Sequence, residues 1–253
     1  MRVATWNMAY WSHKAIHDSA WRFLVEVIKP DIALVQEAGL ASDETISNKT
    51  SLAKIGGTRD WGSGVYSNSL PLKEIVYENS YPGSITGVEL KLPSGRIIAF
   101  FSLYGKLETK YGDRTAFSTT SVHKMISDLN WVFLGLGKFA GLEKSIIIGG
   151  DFNASTQLDN TWKAGEGRYL NAHRILFERI EDYGLKSAFD YPEKQKSYIQ
   201  THRHGKSKTL WQNDYIFLSG SLHSKIIRVE VIDNKEVRRL SDHNPVVVEI
   251  DVG

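Results

Sequence analysis

Short apolar runs recur along the whole chain, and they constrain its fold more than any other feature. Several of them, such as the runs around Ile147 and Val247, are continuously apolar, which is typical of strands covered on both faces. Ten segments have this strand-like character: 2–6, 31–36, 63–67, 72–77, 85–92, 96–103, 145–149, 213–218, 226–232 and 245–251. The sequence therefore predicts a protein built mainly from β-sheets.

Three longer segments carry apolar residues at helical spacing. The first begins at Asp18 or Ser19, either of which can cap a helix, and it runs to Ile28. The other two predicted helices are 117–135 and 168–183.

One pair of strands has the pattern of an antiparallel hairpin. The apolar segments 86–92 and 96–103 flank a short polar stretch in which Gly95 supplies the turn. A hairpin among many strands and few long helices does not fit a simple parallel βαβ series. The pattern instead predicts two packed, mostly antiparallel sheets covered on the outside by helices.

The composition limits the organisation and the chemistry. A chain of 253 residues with six prolines and no low-complexity tract is predicted to form a single domain, 1–253. The formal charge of +2 does not by itself indicate a polyanionic partner, so any affinity for nucleic acid must come from a local patch. The absence of cysteine excludes disulfides, thiolate nucleophiles and cysteine-ligated zinc.

The amino terminus and the hydropathy pattern bear on location. Residues 1–7 read as a strand that leads into a polar group, without the apolar stretch and cleavage site of a secretory signal. No stretch approaches the roughly 18 apolar residues that a membrane span needs. We therefore expect a cytoplasmic monomer with no membrane contact and no obligate protein partner.

Acidic, amide and imidazole groups stand at the ends of five predicted strands. A strand end is rigid and open to solvent, so it suits groups that must meet a substrate in fixed geometry. Glu37 directly continues an apolar run, where an unpaired carboxylate is costly unless a metal ion or a basic group lies beside it. The full set is Asn7, Glu37, Asp151, Asn153, Asp214, Asp242 and His243.

We interpret the chemistry that these groups share as hydrolysis of phosphate esters. A divalent cation held by oxygen ligands activates water and offsets the charge of the phosphodiester. The predicted ligands are Glu37, Asn7 and Asp242, and the preferred ion is Mg²⁺, which uses few carboxylates and keeps several waters, with Mn²⁺ as a substitute.

The remaining groups supply acid–base and hydrogen-bonding functions. Asp151 is predicted to orient and deprotonate the attacking water, because a carboxylate at a strand end can accept a proton there. Asn153 and His243 are predicted to donate hydrogen bonds to the charge that develops on the phosphoryl oxygens.

Five motifs, in this order along the chain, resemble those of the endonuclease/exonuclease/phosphatase family, the superfamily of deoxyribonuclease I and exonuclease III. They are Thr5-Trp6-Asn7, Val35-Gln36-Glu37, Gly150-Asp151-Phe152-Asn153, Asn213-Asp214-Tyr215 and Ser241-Asp242-His243. The resemblance implies an α/β (α+β) fold, a four-layer sandwich of two mixed, mostly antiparallel β-sheets flanked by helices. It also implies that Asp214 orients His243, which contacts the scissile phosphate.

Tyr104 indicates which branch of the family the sequence resembles. Deoxyribonuclease I-like and sphingomyelinase-like members usually have histidine at this strand end, whereas exonuclease III-like members have a tyrosine that contacts the scissile phosphate. The sequence resembles the second branch at Tyr104 but departs from it at Gly105-Lys106, at Ala9 and at Gln212. It also lacks the Cys-Asp-Arg motif of inositol-polyphosphate phosphatases. The resemblance therefore does not determine the substrate.

Basic and aromatic residues near the motifs are candidates for substrate binding. Arg203 and Lys206 lie in a basic loop just before Trp211, and cations and an aromatic ring of this kind suit phosphates and a base. Arg114, in the loop after Tyr104, is a further candidate phosphate contact. Trp6, Trp61 and Trp131 lie in apolar contexts and are predicted to be core residues.

These observations predict an Mg²⁺-dependent phosphodiesterase that cleaves nucleic acid, with a DNA endonuclease or exonuclease favoured. The alternative is a phosphatase or phosphodiesterase that acts on a small-molecule or lipid phosphate ester, because the same metal centre serves both reactions. A non-catalytic binding module is disfavoured, since every motif position carries a chemically competent residue.

Overall fold

Two six-stranded sheets form the centre of the protein, whose structure is a computed structural model describing residues 1–106, 120–138, 145–161, 171–192 and 198–253. The strands of the first sheet are β1 (Arg2–Asn7), β2 (Ile32–Ala38), β3 (Thr50–Gly56), β4 (Arg59–Ser67), β11 (Ile226–Val231) and β12 (Val246–Ile250). Those of the second are β5 (Lys73–Glu74), β6 (Ile85–Lys91), β7 (Ile97–Tyr104), β8 (Ile146–Asp151), β9 (Leu185–Ser187) and β10 (Asp214–Ser219).

Each sheet combines one parallel pair with antiparallel neighbours. The first has the order β11-β12-β1-β2-β4-β3, and the second has the order β5-β6-β7-β8-β10-β9. The parallel pairs are β1 with β2 and β7 with β8, while the other paired strands run antiparallel. The predicted pair of mixed, mostly antiparallel sheets is confirmed.

Helices flank the two sheets. They are α1 (Tyr10–His13), α2 (His17–Arg22), α3 (Glu44–Ser47), α4 (Thr120–Lys138), α5 (Thr156–Thr161), α6 (Ala172–Asp182), α7 (Gly220–His223) and α8 (Lys235–Leu240). The segment Phe23–Ile28 continues α2 as a π-helical turn. No helix in the described part of the chain is long and apolar enough to cross a membrane.

Two apolar clusters hold these layers together. Trp21 and Leu24, from α2 and the turn that follows it, pack with Trp6 of β1 against the first sheet. Met125 of α4 and Leu176 of α6 belong to a larger cluster that includes the second sheet. Burying such large side chains completely contributes about 1.5–3 kcal/mol each relative to exposure, and this burial accounts for the continuously apolar strands of the sequence.

A buried polar contact joins the facing sheets. Gln36 of β2 is fully buried, and its amide donates to the hydroxyl of Ser102 on β7 at 2.9 Å. That hydroxyl in turn donates to the backbone carbonyl of Val35 at 2.8 Å. Because buried polar groups are costly when unpaired, this pair fixes how the ends of β2 and β7 lie against each other.

The structure corrects several element boundaries. It adds β3 and β9, which the sequence pattern does not predict, and shortens the predicted strand 72–77 to two residues. β3 lies at a sheet edge and is mostly half-exposed, so it lacks a clear apolar period. Asp18 does not cap α2, because its carboxylate accepts the backbone N–H of Ser42. Residues 117–119 and 168–170 of the predicted helices lie outside the described residues.

Candidate active site

The topology brings the polar strand ends to one edge of the molecule. The parallel strands β1 and β2 end near Asn7 and Glu37, and the parallel strands β7 and β8 end at Tyr104 and Asp151. The Asn7 amide donates to the Asp151 carboxylate at 2.9 Å, so the two sheets meet at these ends. β10 runs antiparallel to β8, which places Asp214 directly opposite Asp151.

Asp151 is buried and fixed by amide donors. Its carboxylate accepts from the Asn7 side chain, from the backbone N–H of Asn153 at 2.9 Å and from the Asn153 side chain at 3.1 Å. Burial raises the pKa of Asp151, and the nearby charge of Asp214 adds to this shift, while His243 opposes it. A carboxyl group with a raised pKa is a stronger base, which suits proton abstraction.

His243 is held between two carboxylates. Its Nδ1 lies 2.9 Å from Oδ2 of Asp214, and its Nε2 lies 3.9 Å from Oδ2 of Asp151. Burial alone would lower the pKa of His243, but the charges of Asp214 and Asp151 outweigh it and raise the pKa to about 10. The ring is therefore an imidazolium at neutral pH, and its Nε2–H faces Asp151.

The turn that carries His243 is fastened to β1. The Ser241 hydroxyl donates to the backbone carbonyl of Asn7 at 2.7 Å and accepts from the backbone N–H of His243 at 3.0 Å. The indole N–H of Trp6 donates to the carbonyl of His243 at 3.1 Å. The Ser-Asp-His motif thus owes its position to the strand that also carries Asn7.

His202 is a site residue that the sequence reasoning did not select. Its ring stacks on His243, with centroids 4.5 Å apart and an interplanar angle of 24°. Burial lowers the pKa of His202, and the charge of His243 lowers it further, so His202 is neutral beside the imidazolium. No sequence pattern links the two positions, because backbone pairing of residues 41 apart brings them together.

The predicted metal ligands are only partly clustered. The Asn7 amide donates to Oε1 of Glu37 at 3.2 Å, so these two residues are adjacent. Asp242 is about half-exposed and lies nearer the histidines, with a carboxylate oxygen 3.9 Å from Nε2 of His202. Two further groups in the described residues have metal-ligand spacing: His202–Asp242–His243 and Asp151–Asp214–His243.

Glu37 provides the test of whether a cation fits here. Oε2 of Glu37 is buried and has no hydrogen-bond partner among the described residues. Burial raises the pKa of Glu37, although the hydrogen bond from Asn7 and the charge of His243 oppose the shift. The backbone of Glu37 is also strained, with φ of 43° in the left-handed region. An unpaired buried carboxylate oxygen held in this way fits a hard divalent cation.

Tyr104 and Gly105 lie at the same edge of the molecule as these strand ends. Burial, together with the charges of Glu37 and Asp151, raises the pKa of the Tyr104 hydroxyl, which therefore stays protonated. Gly105 packs directly on the loop after β8, where a Cβ would lie 2.2 Å from the carbonyl oxygen of Phe152. The carbonyl of Gly105 also accepts from the Asn153 amide at 2.8 Å.

Gly105→Ala is expected to reduce turnover by roughly 10- to 100-fold, because the added methyl must push the Phe152 backbone and with it Asp151 and Asn153. Measuring kcat and the melting temperature together checks this. Gly205→Ala is the matched control, since a Cβ there meets nothing within 4 Å. A Gly105→Ala enzyme within twofold of the parent kcat would contradict the tight contact.

A cleft of about 400 Å³ lies at this edge of the molecule. Its lining residues are Trp11, Glu37, Ile55, Arg59, Trp61, Tyr104, Lys106, Asp151, Asn153, His202, Asp242 and His243. Trp6 is buried in the core as predicted, but Trp61 is half-buried and lines the cleft, so its prediction as a core residue is wrong. The sequence alone does not show on which face of the sheet the indole of Trp61 lies.

The predicted substrate-binding residues that the structure describes do not line this cleft. Arg203 donates to the side chain of Asn244 and to the carbonyl of Ser241, so it braces the turn that carries His243. Lys206 is exposed and Trp211 is half-buried, and neither lines the cleft. Arg114 lies outside the described residues. The buried hydrogen-bond acceptors around Arg203 explain why its guanidinium turns inward.

Several known structures share this fold. A 3′ phosphatase, NExo, from Neisseria, bound to product DNA hairpin, superposes with a TM-score of 0.71 at 16% identity, over 99% of this chain and 99% of that chain. The AP endonuclease LMAP from Leishmania major gives 0.69 at 18% identity, over 100% and 88%. An AP endonuclease from Archaeoglobus fulgidus gives 0.67 at 16% identity, over 100% and 100%. No curated protein matches the chain in sequence.

The comparison with protein families defines the class of protein, a hydrolase that acts on phosphoric esters. The family model of the Endonuclease/Exonuclease/phosphatase family matches residues 4–243, which include all five motifs. The chain belongs to this family.

Proposed function

We propose that the protein is a divalent-metal-dependent phosphodiesterase that hydrolyses nucleic acid, with DNA as the favoured substrate. The observation that carries this proposal is the meeting at one cleft of Asp151, the Asp214–His243 pair and a buried Glu37 oxygen that has no hydrogen-bond partner among the described residues. Members of the family generally depend on a divalent metal. The alternative substrate, a small or lipid phosphate ester, would use the same groups.

Glu37 is the proposed principal metal ligand, with Asn7 beside it and Asp242 at the cleft mouth. A bound Mg²⁺, or Mn²⁺ in its place, supplies positive charge that offsets the negative charge of a phosphodiester. Asn7 also donates to Glu37 and Asp151 at once, which keeps the two carboxylates apart and oriented. The proposed role of Asn7 therefore includes positioning both acidic groups.

Asp151 is the proposed acceptor of the proton from the attacking water. Its carboxylate is held by Asn7 and Asn153, and burial raises its pKa, so it combines fixed geometry with basicity. Both hydrogens of the Asn153 amide are used, by Gly105 and by Asp151. Asn153 thus holds the base in place, and its contact with the phosphoryl group requires one of these bonds to be exchanged.

His243 is the proposed donor to the phosphoryl oxygen. Because Asp214 accepts from Nδ1, the Nε2–H is directed into the cleft, where it can stabilise charge that grows in the transition state. The Tyr104 hydroxyl, kept protonated by its surroundings, is a second proposed donor at the same edge. The imidazole is preorganised by its hydrogen bond with Asp214, and the phenol by the edge-on contact of its ring with Trp61, which lowers the cost of reorganisation during the reaction.

The cleft wall favours nucleic acid over a small ester. Arg59 and Lys106 supply cations at the cleft, and Trp11 and Trp61 supply aromatic surface, which is the combination that backbone phosphates and bases require. Two of the similar structures are AP endonucleases, and the third is a 3′ phosphatase bound to a DNA product. These likenesses, together with the wall, support a nucleic-acid substrate.

A substrate panel tests the proposal. Labelled single-stranded, duplex, nicked and abasic DNA, and RNA, are incubated with the protein and Mg²⁺ or Mn²⁺, and cleavage is followed on gels. We expect cleavage of at least one DNA that requires the metal and is lost in Asp151→Asn. Release of phosphate from a panel of metabolites and lipid phosphates, with every nucleic acid left intact, would favour the alternative.

A further inference from the structure

Two tryptophans stand at the cleft without a part in the proposed chemistry. Trp11, on α1, is 67% exposed, and Trp61, on β4, is half-buried. Both line the same cleft as Asp151 and His243. Large aromatic side chains exposed beside a catalytic edge are suited to binding a flat ligand, because burying an indole against such a partner is favourable.

Trp61 is held in a fixed orientation by its neighbours. The Tyr104 ring packs edge-on against it, with centroids 5.9 Å apart and an interplanar angle of 77°. The guanidinium of Arg59 lies 5.6 Å from the centre of the indole, within the range of a cation–π contact. Tyr104 and Glu37 line the same cleft, so Trp61 packs on a residue of the wall that also carries the proposed metal ligand.

A polar clamp ties the segment of Trp11 to the segment of Trp61. The Asp60 carboxylate, next to Trp61, accepts from the Tyr10 hydroxyl at 2.8 Å and from the Lys14 ammonium at 3.1 Å. Tyr10 directly precedes Trp11 in α1. A single exposed ion pair contributes little, but here three side chains share one contact and fix α1 against β4.

The charges around the two indoles suit a strand of phosphodiesters. Arg59 is exposed and Lys106 half-buried, and both line the cleft with the tryptophans. A cation beside an aromatic ring can hold a phosphate while the adjoining base lies on the ring. The catalytic edge is part of the same cleft, so a base on this wall belongs to a nucleotide next to the bond that is cut.

We infer that Trp11 and Trp61 form a base-stacking wall that takes an unpaired nucleobase next to the scissile phosphodiester. Stacking on an indole requires a base with a free face, and a base within a duplex has both faces covered by its neighbours. The protein should therefore prefer single-stranded or locally opened nucleic acid. The inference rests on the proposed function and adds to it the form of substrate that the cleft accepts.

Binding to two labelled strands tests the wall without turnover. In an Asp151→Asn background with Mg²⁺ present, fluorescence anisotropy gives the Kd for a ten-nucleotide thymidine strand and for a strand of the same length built from tetrahydrofuran residues, which keeps the phosphates and lacks the bases. We expect Trp61→Ala to weaken binding of the thymidine strand roughly 10-fold and to leave the abasic strand unchanged. Trp61→Phe, which retains a ring, should restore most of the loss.

Two further variants sharpen the result. Trp11→Ala should show the same dependence on bases, and Asp60→Ala should reproduce part of it, because the segment of Trp11 loses its contacts with β4. Val76→Ala, at a 93% exposed position outside the cleft lining, is the control that should change neither Kd. Melting temperatures show that each variant is folded.

The possible outcomes separate the wall from the proposed function. Equal weakening for both strands in Trp61→Ala, or no weakening for either, overturns the stacking inference while leaving the nuclease proposal in place. If the folded Asp151→Asn protein binds neither strand, the nucleic-acid function fails and the wall fails with it. Tighter binding of the thymidine strand that disappears in Trp61→Ala supports both.

Discussion

Replacing Asp214 with asparagine is expected to lower kcat by roughly 10²-fold or more. Asp214 is fully buried and lies 2.9 Å from Nδ1 of His243, so its charge is the largest of those that keep the buried imidazole protonated. Without that charge, the proposed Nε2–H donor to the phosphoryl oxygen is lost over part of the working pH range. Steady-state kinetics on the DNA identified by the substrate panel measure the effect.

The same substitution should also shift the pH dependence of kcat in one direction. Burial works against protonation, but the carboxylates raise the pKa of His243 to about 10, so the parent enzyme keeps its imidazolium from acidic pH up to that value. Asp214→Asn removes the largest opposing charge, which lowers this pKa and moves the alkaline limit of kcat to lower pH. His243→Ala should lose the activity without showing the shifted limit. An unchanged alkaline limit in Asp214→Asn would contradict the role of the pair.

Replacing Glu37 with glutamine is expected to abolish metal-dependent cleavage and to stabilise the metal-free fold. Burial raises the pKa of Glu37 above its value in the unfolded chain, so the stability that this group contributes is present at low pH and is lost as pH rises through the folded pKa. At neutral pH the charged form is therefore a cost, and a neutral amide of similar shape removes part of it, about 1–3 kcal/mol.

Melting curves with and without Mg²⁺ measure both the stability of the metal-free fold and the stabilisation by the metal. In the parent protein, Mg²⁺ at about 100 times its Kd should add about 2.7 kcal/mol of stability by mass action. Glu37→Gln should melt higher in chelator and gain little from Mg²⁺. Glu44→Gln, at an exposed position in α3, is the matched control and should respond to Mg²⁺ like the parent. A full Mg²⁺ response in Glu37→Gln would rule Glu37 out as a principal ligand.

The sheets were predictable because their strands are buried on both faces. Continuous apolar runs such as those of β8 and β12 can only be satisfied between two layers, so they predict packed sheets directly. β3 escaped prediction because an edge strand that is mostly half-exposed need not be apolar. The π-helical end of the first long helix has no signature in the spacing of its apolar residues.

The site residues could be named from their motifs, whereas their contacts could not. Asn7 was predicted as a metal ligand, and the structure adds that its amide spans Glu37 and Asp151. Arg203 has the charge of a phosphate-binding residue, but its guanidinium donates to the carbonyl of Ser241 in the turn that carries His243. In both cases the decisive quantity is the direction of a side chain, which depends on neighbours far away in the sequence.

The order of residues by itself determined that apolar strands end in carboxylate, amide and imidazole groups, because burial periodicity and residue chemistry are properties of local sequence. Only the tertiary structure decided that β1, β2, β7 and β8 bring these ends to one edge, that His202 stacks on His243, and that Trp61 faces the cleft. These features depend on strand direction, on register and on which face of a sheet is covered. All three are set by long-range pairing, whose free energy no local pattern encodes.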